Sequence, residues 1–177
     1  MADDANCFTA RSALRRHQWL GFTVGALQCA LPAKRIGSVI RVDIGAAAPS
    51  SPGRCTTCVQ VGDLLVPLKD LGAALGTGRS MPASRAAALL VVLPGPEKRP
   101  VVLGLLVDEV HSLYDLGPDE IEPPASGLFT LAGEMAIGLG RSSSRQMLLL
   151  DLDTLVTEDE RALAAMLNHR TTVPRPN

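Results

Sequence analysis

The chain is predicted to be mainly β, on three observations. Short apolar segments recur along it, separated by breaks that carry Gly or Pro. Residues 101–107 set Val102, Gly104 and Leu106 on one face of a strand and Val101, Leu103, Leu105 and Val107 on the other, so neither face suits water. A helical period with a clear start signal emerges only after Thr157. A strand buried on both sides is what two packing units would share. Beyond it, Asp108 and Glu109 turn the character acidic while Val110, Leu113 and Leu116 stay apolar. The same strand is therefore expected to run on along a half-exposed edge.

Residues 1–18 read as a polar N-terminal extension in which Phe8, Ala10 and Leu14 form a thin apolar stripe opposite Arg11 and Arg15, a weak amphipathic helix. From Trp19 the alternation predicts a strand, a tight turn at Gly25-Ala26, and a second strand through Cys29 and Leu31. Pro32 breaks it. Ile36, Val39 and Ile40 suggest one helical turn or an irregular crossing, followed by Val42 and Ile44, and residues 45–54 are loop by composition. Residues 55–71 read as a hairpin turning at Gly62-Asp63, with Pro67 restricting its second strand to an edge or a bulge. Asp70 then caps a short helix that Gly76 ends.

A loop over 76–85 leads to a buried strand at 86–93, and a turn between Pro94 and Pro100 places it beside the central strand. Turn chemistry follows at Pro118, with Pro123-Pro124 extended. Phe129, Leu131, Met135, Ile137 and Leu139 suggest another hairpin, a loop GRSSSRQ, and the last apolar strand MLLLDL. Thr157 and Glu160 form a capping box before a helix whose Leu163, Met166 and Leu167 share a face. Thr171 to Asn177, with two prolines and no periodic apolar residue, are expected to be a frayed tail. LLVPLKDLGAAL and MLLLDLDTLV echo each other, as two similar units would.

With 46% hydrophobic residues among 177 the chain can build an ample core, and with only 3% aromatics that core must be aliphatic. The net charge of −1 gives no overall field for nucleic acid or anionic membranes, although Arg11, Arg15, Arg16, Lys34, Arg35 and Arg41 make the first quarter basic. Asp3 and Asp4 stand where a secretory signal carries Lys or Arg, and no apolar run approaches the roughly 20 residues that span a bilayer. The expectation is a cytoplasmic protein without direct membrane insertion, its four cysteines reduced.

The runs FTVGALQCALPAKRIGSVIR, LLVPLKDLGAALG, GLLVDEV, DEIEPP and LLLDLDTLV resemble, in order and spacing, those of the CheW-like adaptor family. GLLVDEV followed by DEIEPP is the specific part. The resemblance covers residues 19–156, leaving 157–177 as a C-terminal helix and tail. It implies two intertwined five-stranded SH3-like β-barrels with a few short helices. It also implies a non-enzymatic adaptor, without cofactor, that links a CheA-type histidine kinase to the cytoplasmic tip of a chemoreceptor. The kinase would use the end of one barrel and the receptor a groove between the two.

The sequence departs from the family pattern at two charges. An "NLRG" run aligned on Pro67 falls on Gln60, Val61, Gly62 and Asp63, so Gly62 stands for the Arg; the Glu of a "VrEv" run falls on Ser38. Both charges belong to the family's partner-binding surface. Their loss implies a remodelled groove, with Ile36, Val39, Val61 and Leu64 as its apolar lining beside Ser38, Gly62 and Asp63, and a partner that is either the usual one or a replacement.

Other chemistry is less well supported. Cys55 and Cys58 could form a redox pair or half a zinc site, the alternative function, but Cys7, Cys29 and three scattered histidines supply no second ligand pair. Positions three apart on a strand also face opposite ways. Asp108, Glu109 and His111 invite reading as acid, base and orienter, yet no nucleophile elbow or phosphate-cradling loop accompanies them. Solvated acids at a strand end are the plainer account. Asp151 and Asp153 are read the same way, with Asp153 as a cap for the terminal turn.

Overall fold

The computed structural model describes residues 17–43, 57–77, 86–123, 133–143 and 145–169. The amphipathic pattern of the extension, Cys55, Phe129, Leu131 and the tail lie outside them. The elements are β1 (His17–Val24), β2 (Leu27–Pro32), β3 (Ile36–Val42), β4 (Cys58–Val61), β5 (Leu64–Asp70), α1 (Leu71–Ala74), β6 (Ala86–Pro94), β7 (Pro100–Val107) and β8 (Glu109–Leu116). They continue with β9 (Ile121–Glu122), β10 (Ala136–Ser142), β11 (Arg145–Leu150), α2 (Leu152–Leu155) and α3 (Glu158–His169).

Two sheets result, ordered β8-β1-β2-β11-β10-β9 and β3-β6-β7-β5-β4. The two-residue β9 is a short addition to the first. The chain leaves the first sheet after β2, builds the whole second sheet, and returns at Asp108, so the second unit is nested within the first. Two hairpins share one turn chemistry: Val24 pairs Leu27 across Gly25-Ala26, and Val61 pairs Leu64 across Gly62-Asp63. Gly25 and Gly62 take φ of +59° and +57°, the left-handed region that glycine enters without a Cβ penalty.

The sequence echo is a structural one. β5 runs into Asp70, whose Oδ1 accepts from the Gly72 and Ala73 amides at 2.9 and 3.3 Å. β11 runs into Asp151, which accepts from the Asp153 amide at 3.1 Å and the Thr154 hydroxyl at 2.7 Å. Each of these strands also makes a parallel pairing, β5 with β7 and β11 with β2. Asp151, not Asp153, is therefore the cap.

Packing divides along the strand alternation. Val101, Leu103, Leu105 and Val107 join Leu20, Phe22, Leu31, Leu89, Val91 and Leu150 in the largest buried cluster, which lies between the two sheets. The opposite face of β7, with Leu106 and the half-buried Val102, packs with Val42, Val66, Leu68 and Leu90 inside the second sheet's curl. A Cβ at Gly104 would lie 2.5 Å from Leu68 Cδ2, so that interior has no room for a side chain there. Trp19, Leu116, Met147 and Leu149 fill the first sheet's interior. The two-sided reading of residues 101–107 is thus the organising feature of the fold.

Several local expectations are corrected. The helical turn near residue 36 is a 3-10 turn at Ala33–Arg35, and Ile36 already begins a strand. β8 is not a continuation of β7 in the same sheet: the chain breaks at Asp108 and β8 pairs with β1. GRSSSRQ is mostly strand, with Arg141 opposite Gln146 and Ser142 opposite Arg145. β5 is not an edge, lying between β4 and β7. It tolerates Pro67 because Leu68 donates to Thr57 O at 2.8 Å, which turns the Pro67 nitrogen away from β4, while pairing with β7 begins only at Leu68.

The Thr157–Glu160 capping box is present, with Thr157 N donating to Glu160 Oε2 at 2.9 Å and Glu160 N to Thr157 Oγ1 at 3.3 Å. The buried face of the helix is Arg161, Ala164 and Leu167, whereas Leu163 is half-buried and Met166 is 49% exposed. Asn168 explains part of this rotation. Below their short pairing β5 and β7 are bridged by its amide: Val102 N donates to Oδ1 at 2.8 Å, and Nδ2 donates to Leu65 O at 3.0 Å and Val102 O at 3.3 Å.

Leu105→Ala should cost about 2–5 kcal/mol, read from denaturant midpoints; a change under about half a kcal/mol would make β7 peripheral. Asn168→Ala leaves the Val102 amide and the Leu65 carbonyl without this partner and should cost about 1–3 kcal/mol in the same experiment.

Candidate docking groove between the sheets

A surface groove of about 820 Å³ opens where the two sheets meet. β1 supplies His17, Gln18, Trp19 and Leu20, and β8 supplies Leu113. The opposite wall is Pro32, Ala33, Lys34, Ile36, Ser38 and Val39, running from the end of β2 into β3. Its floor continues the shared core, because Leu20 belongs to the inter-sheet cluster and Ile36 packs against it. Val39 and Leu113, both in the groove lining, remain 45% and 57% exposed.

Of the seven residues expected at a docking surface, the groove gathers Ile36, Ser38 and Val39. It does not gather Val61, Gly62, Asp63 and Leu64, which sit on the β4–β5 hairpin at the other edge of the second sheet. Val61 packs against the second sheet's interior, while Gly62, Asp63 and Leu64 are exposed. Gly62 also meets nothing within 4 Å at its Cβ position, but its φ of +57° strains any other residue there. The turn itself thus favours Gly where the ungapped family pattern puts Arg.

The wall that bears Ile36 is fixed from behind. Arg35 donates to Val92 O at 3.4 Å and pairs with Asp153 at 3.1 Å. Asp153 also meets Arg161 at 3.2 Å, a buried guanidinium that donates in addition to the carbonyls of Pro94, Val156 and Asp153. The hydrogen bond from Arg35 holds the Asp153 carboxyl below its ordinary range, partial burial opposes this, and Arg161 adds to the lowering. Lys34, by contrast, projects from the wall with no hydrogen bond or ion pair to a described residue.

Asp108 and His111 make contacts within the fold, whereas Glu109 is exposed, as the solvated reading expects. Asp108 Oδ2 accepts from the Gly25 amide at 2.6 Å, and Asp108 N donates to Thr23 O at 3.0 Å, so this carboxylate clamps the β1–β2 turn and is not simply solvated. His111 Nε2 lies 2.6 Å from Thr23 Oγ1. Burial pushes the Cys29 thiol up to about 12, far from a reactive thiolate, and Cys58 is buried as well. Among the described residues, no three His, Cys, Asp or Glu side chains gather in a metal-ligating group.

The model of the CheW-like domain family matches residues 18–160. The chain belongs to that family. Over 62 residues it is 36% identical to the chemotaxis protein CheW of Klebsiella aerogenes, a match spanning 35% of this chain and 37% of that protein. Over 118 residues it is 27% identical to the probable chemotaxis protein CheW of Rhizobium etli, covering 67% of this chain and 73% of that one. The crystal structure of the scaffolding protein TtCheW from Thermoanaerobacter tengcongensis superposes with a TM-score of 0.64 at 18% identity, covering 82% of this chain and 97% of that one. The fold is thus the expected one: mainly β, two SH3-like barrels with one nested in the other, short helices and a C-terminal helix.

Leu113 had a sequence signal, an apolar residue on a polar strand, but nothing linked it to β3. Asn168, Arg35 and Arg161 had none, because their partners lie 57 or more residues away in several of these contacts.

Asp153→Asn should lower stability at neutral pH by at most about 1 kcal/mol, since the carboxylate is largely exposed. Asp153 has a folded pKa below its unfolded value, so its contribution is present above the ordinary carboxylate range and lost as pH falls through the lowered folded value. Melting curves of protein and variant should therefore converge in acid; a gap that widened there would show that Asp153 acts otherwise.

Proposed function

We propose that this protein is a CheW-like scaffold of a chemotaxis signalling system, acting in the cytoplasm without catalytic chemistry. It links a CheA-type histidine kinase to a chemoreceptor tip or to a replacement partner, and the observation that carries this is the apolar groove spanning the two barrels. Membership of the family supports the general role. No helix among the described residues is long and apolar enough to cross a membrane.

The groove takes a partner's helix through Ile36, Ser38, Val39 and Leu113. Its exposed Val39 and Leu113 stand on different sheets, so an apolar helix face laid between them covers both. The β4–β5 hairpin, with Val61, Gly62, Asp63 and the exposed Leu64, provides a separate contact for the kinase's regulatory domain. Separate surfaces let one small protein hold two partners at once.

Val39→Glu and Leu113→Glu should each weaken binding of a receptor-tip fragment by about tenfold or more in calorimetry, with an unchanged melting midpoint, because each puts a charge into a desolvated contact. Leu64→Glu should spare that binding and weaken kinase-domain binding. Undiminished receptor binding by both groove variants would sink this assignment.

A further inference from the structure

We infer that the groove selects a helical segment whose apolar stripe is flanked by a carboxylate, and that Lys34 is the residue that reads it. The inference deepens the reading of the groove as a docking site and rests on it. The lining contains no Asp or Glu, and its ionisable members are His17 and Lys34. Arg35, the neighbouring cation, is already engaged by Asp153 at 3.1 Å. Asp115, on the β8 face that carries Leu113, lies outside the lining and has an interaction of its own. Lys34 is therefore an ammonium at the rim of an apolar cleft with no described carboxylate assigned to it. At position 38, where the family resemblance places a Glu, Ser38 leaves the wall neutral.

The occupant is a helix and not an added strand because of β3. As the edge of its sheet β3 would be the template for strand addition, but its register slips between Ile36 and Ser38, so the ladder is broken where it borders the groove. What remains for recognition is side chains: Leu20, Ile36, Val39 and Leu113 for an i, i+3, i+4, i+7 stripe, and Lys34 beside them. A basic flank would bring like charge against Lys34 with nothing in the lining to offset it.

The test uses the full chain and two synthetic helical peptides of about 18 residues with one Leu stripe, flanked by Glu in one and by Lys in the other. Calorimetry at about 50 mM salt should show the Glu peptide binding about tenfold tighter, an advantage that shrinks at about 500 mM. Lys34→Gln should erase the preference and Lys34→Glu reverse it, with the melting midpoint unchanged in both. Equal binding of the two peptides, lost in Val39→Glu, would overturn the charge selection while leaving the groove as a docking site. Binding of neither peptide, or binding unaffected by Val39→Glu, would overturn both.

Discussion

The apolar contact between the two sheets is the constraint on which the rest of this molecule depends. Its largest cluster is not the interior of either barrel but the seam between them, assembled from β1, β2, β6, β7 and β11 and closed by residues of all three helices. Each large side chain there contributes about 1.5–3 kcal/mol by burial, and the barrel interiors hold far fewer such residues. Neither barrel is thus an independent unit. The nested chain path has the same consequence, since the first sheet cannot be completed until the chain has passed through the second.

This seam is also what makes the groove a defined shape. Leu20 and Ile36 are at once floor of the groove and part of, or packed on, the shared core. The walls come from different sheets, yet they are held at a fixed spacing by the close-packed contact beneath them. Exposed Val39 and Leu113 are thereby held in place, so the docking proposed for them would not need to order the surface first.

Polar side chains close the places where strand pairing fails. Asn168 bridges β5 and β7, Asp108 clamps the β1–β2 turn while its own amide reaches Thr23 O, and Asp153 gathers Arg35 and Arg161. Each spans distant parts of the chain. The Asp of the GLLVDEV run accordingly has a physical role in the fold: it stands where the chain leaves the second sheet for the first, and ties that crossing to the opening hairpin.

The sequence by itself determined whatever depends on neighbouring residues. The two-residue turns at Gly25 and Gly62, the caps at Asp70 and Thr157, the two-sided burial of β7 and the paired strand-cap-helix units follow from period, φ preference and short-range hydrogen bonding. Three of the seven anticipated docking residues, Ile36, Ser38 and Val39, line the groove, and they follow from the family resemblance, which puts a Glu at Ser38 and leaves Ile36 and Val39 as its apolar neighbours. Only the tertiary structure decided that β8 changes sheets, that β5 is interior despite Pro67, that α3 turns Met166 outward, and that Leu113 and Lys34 share a cleft with Val39. Alternation records that a side chain is buried but not against which strand, and a groove between two sheets exists only once both have been placed.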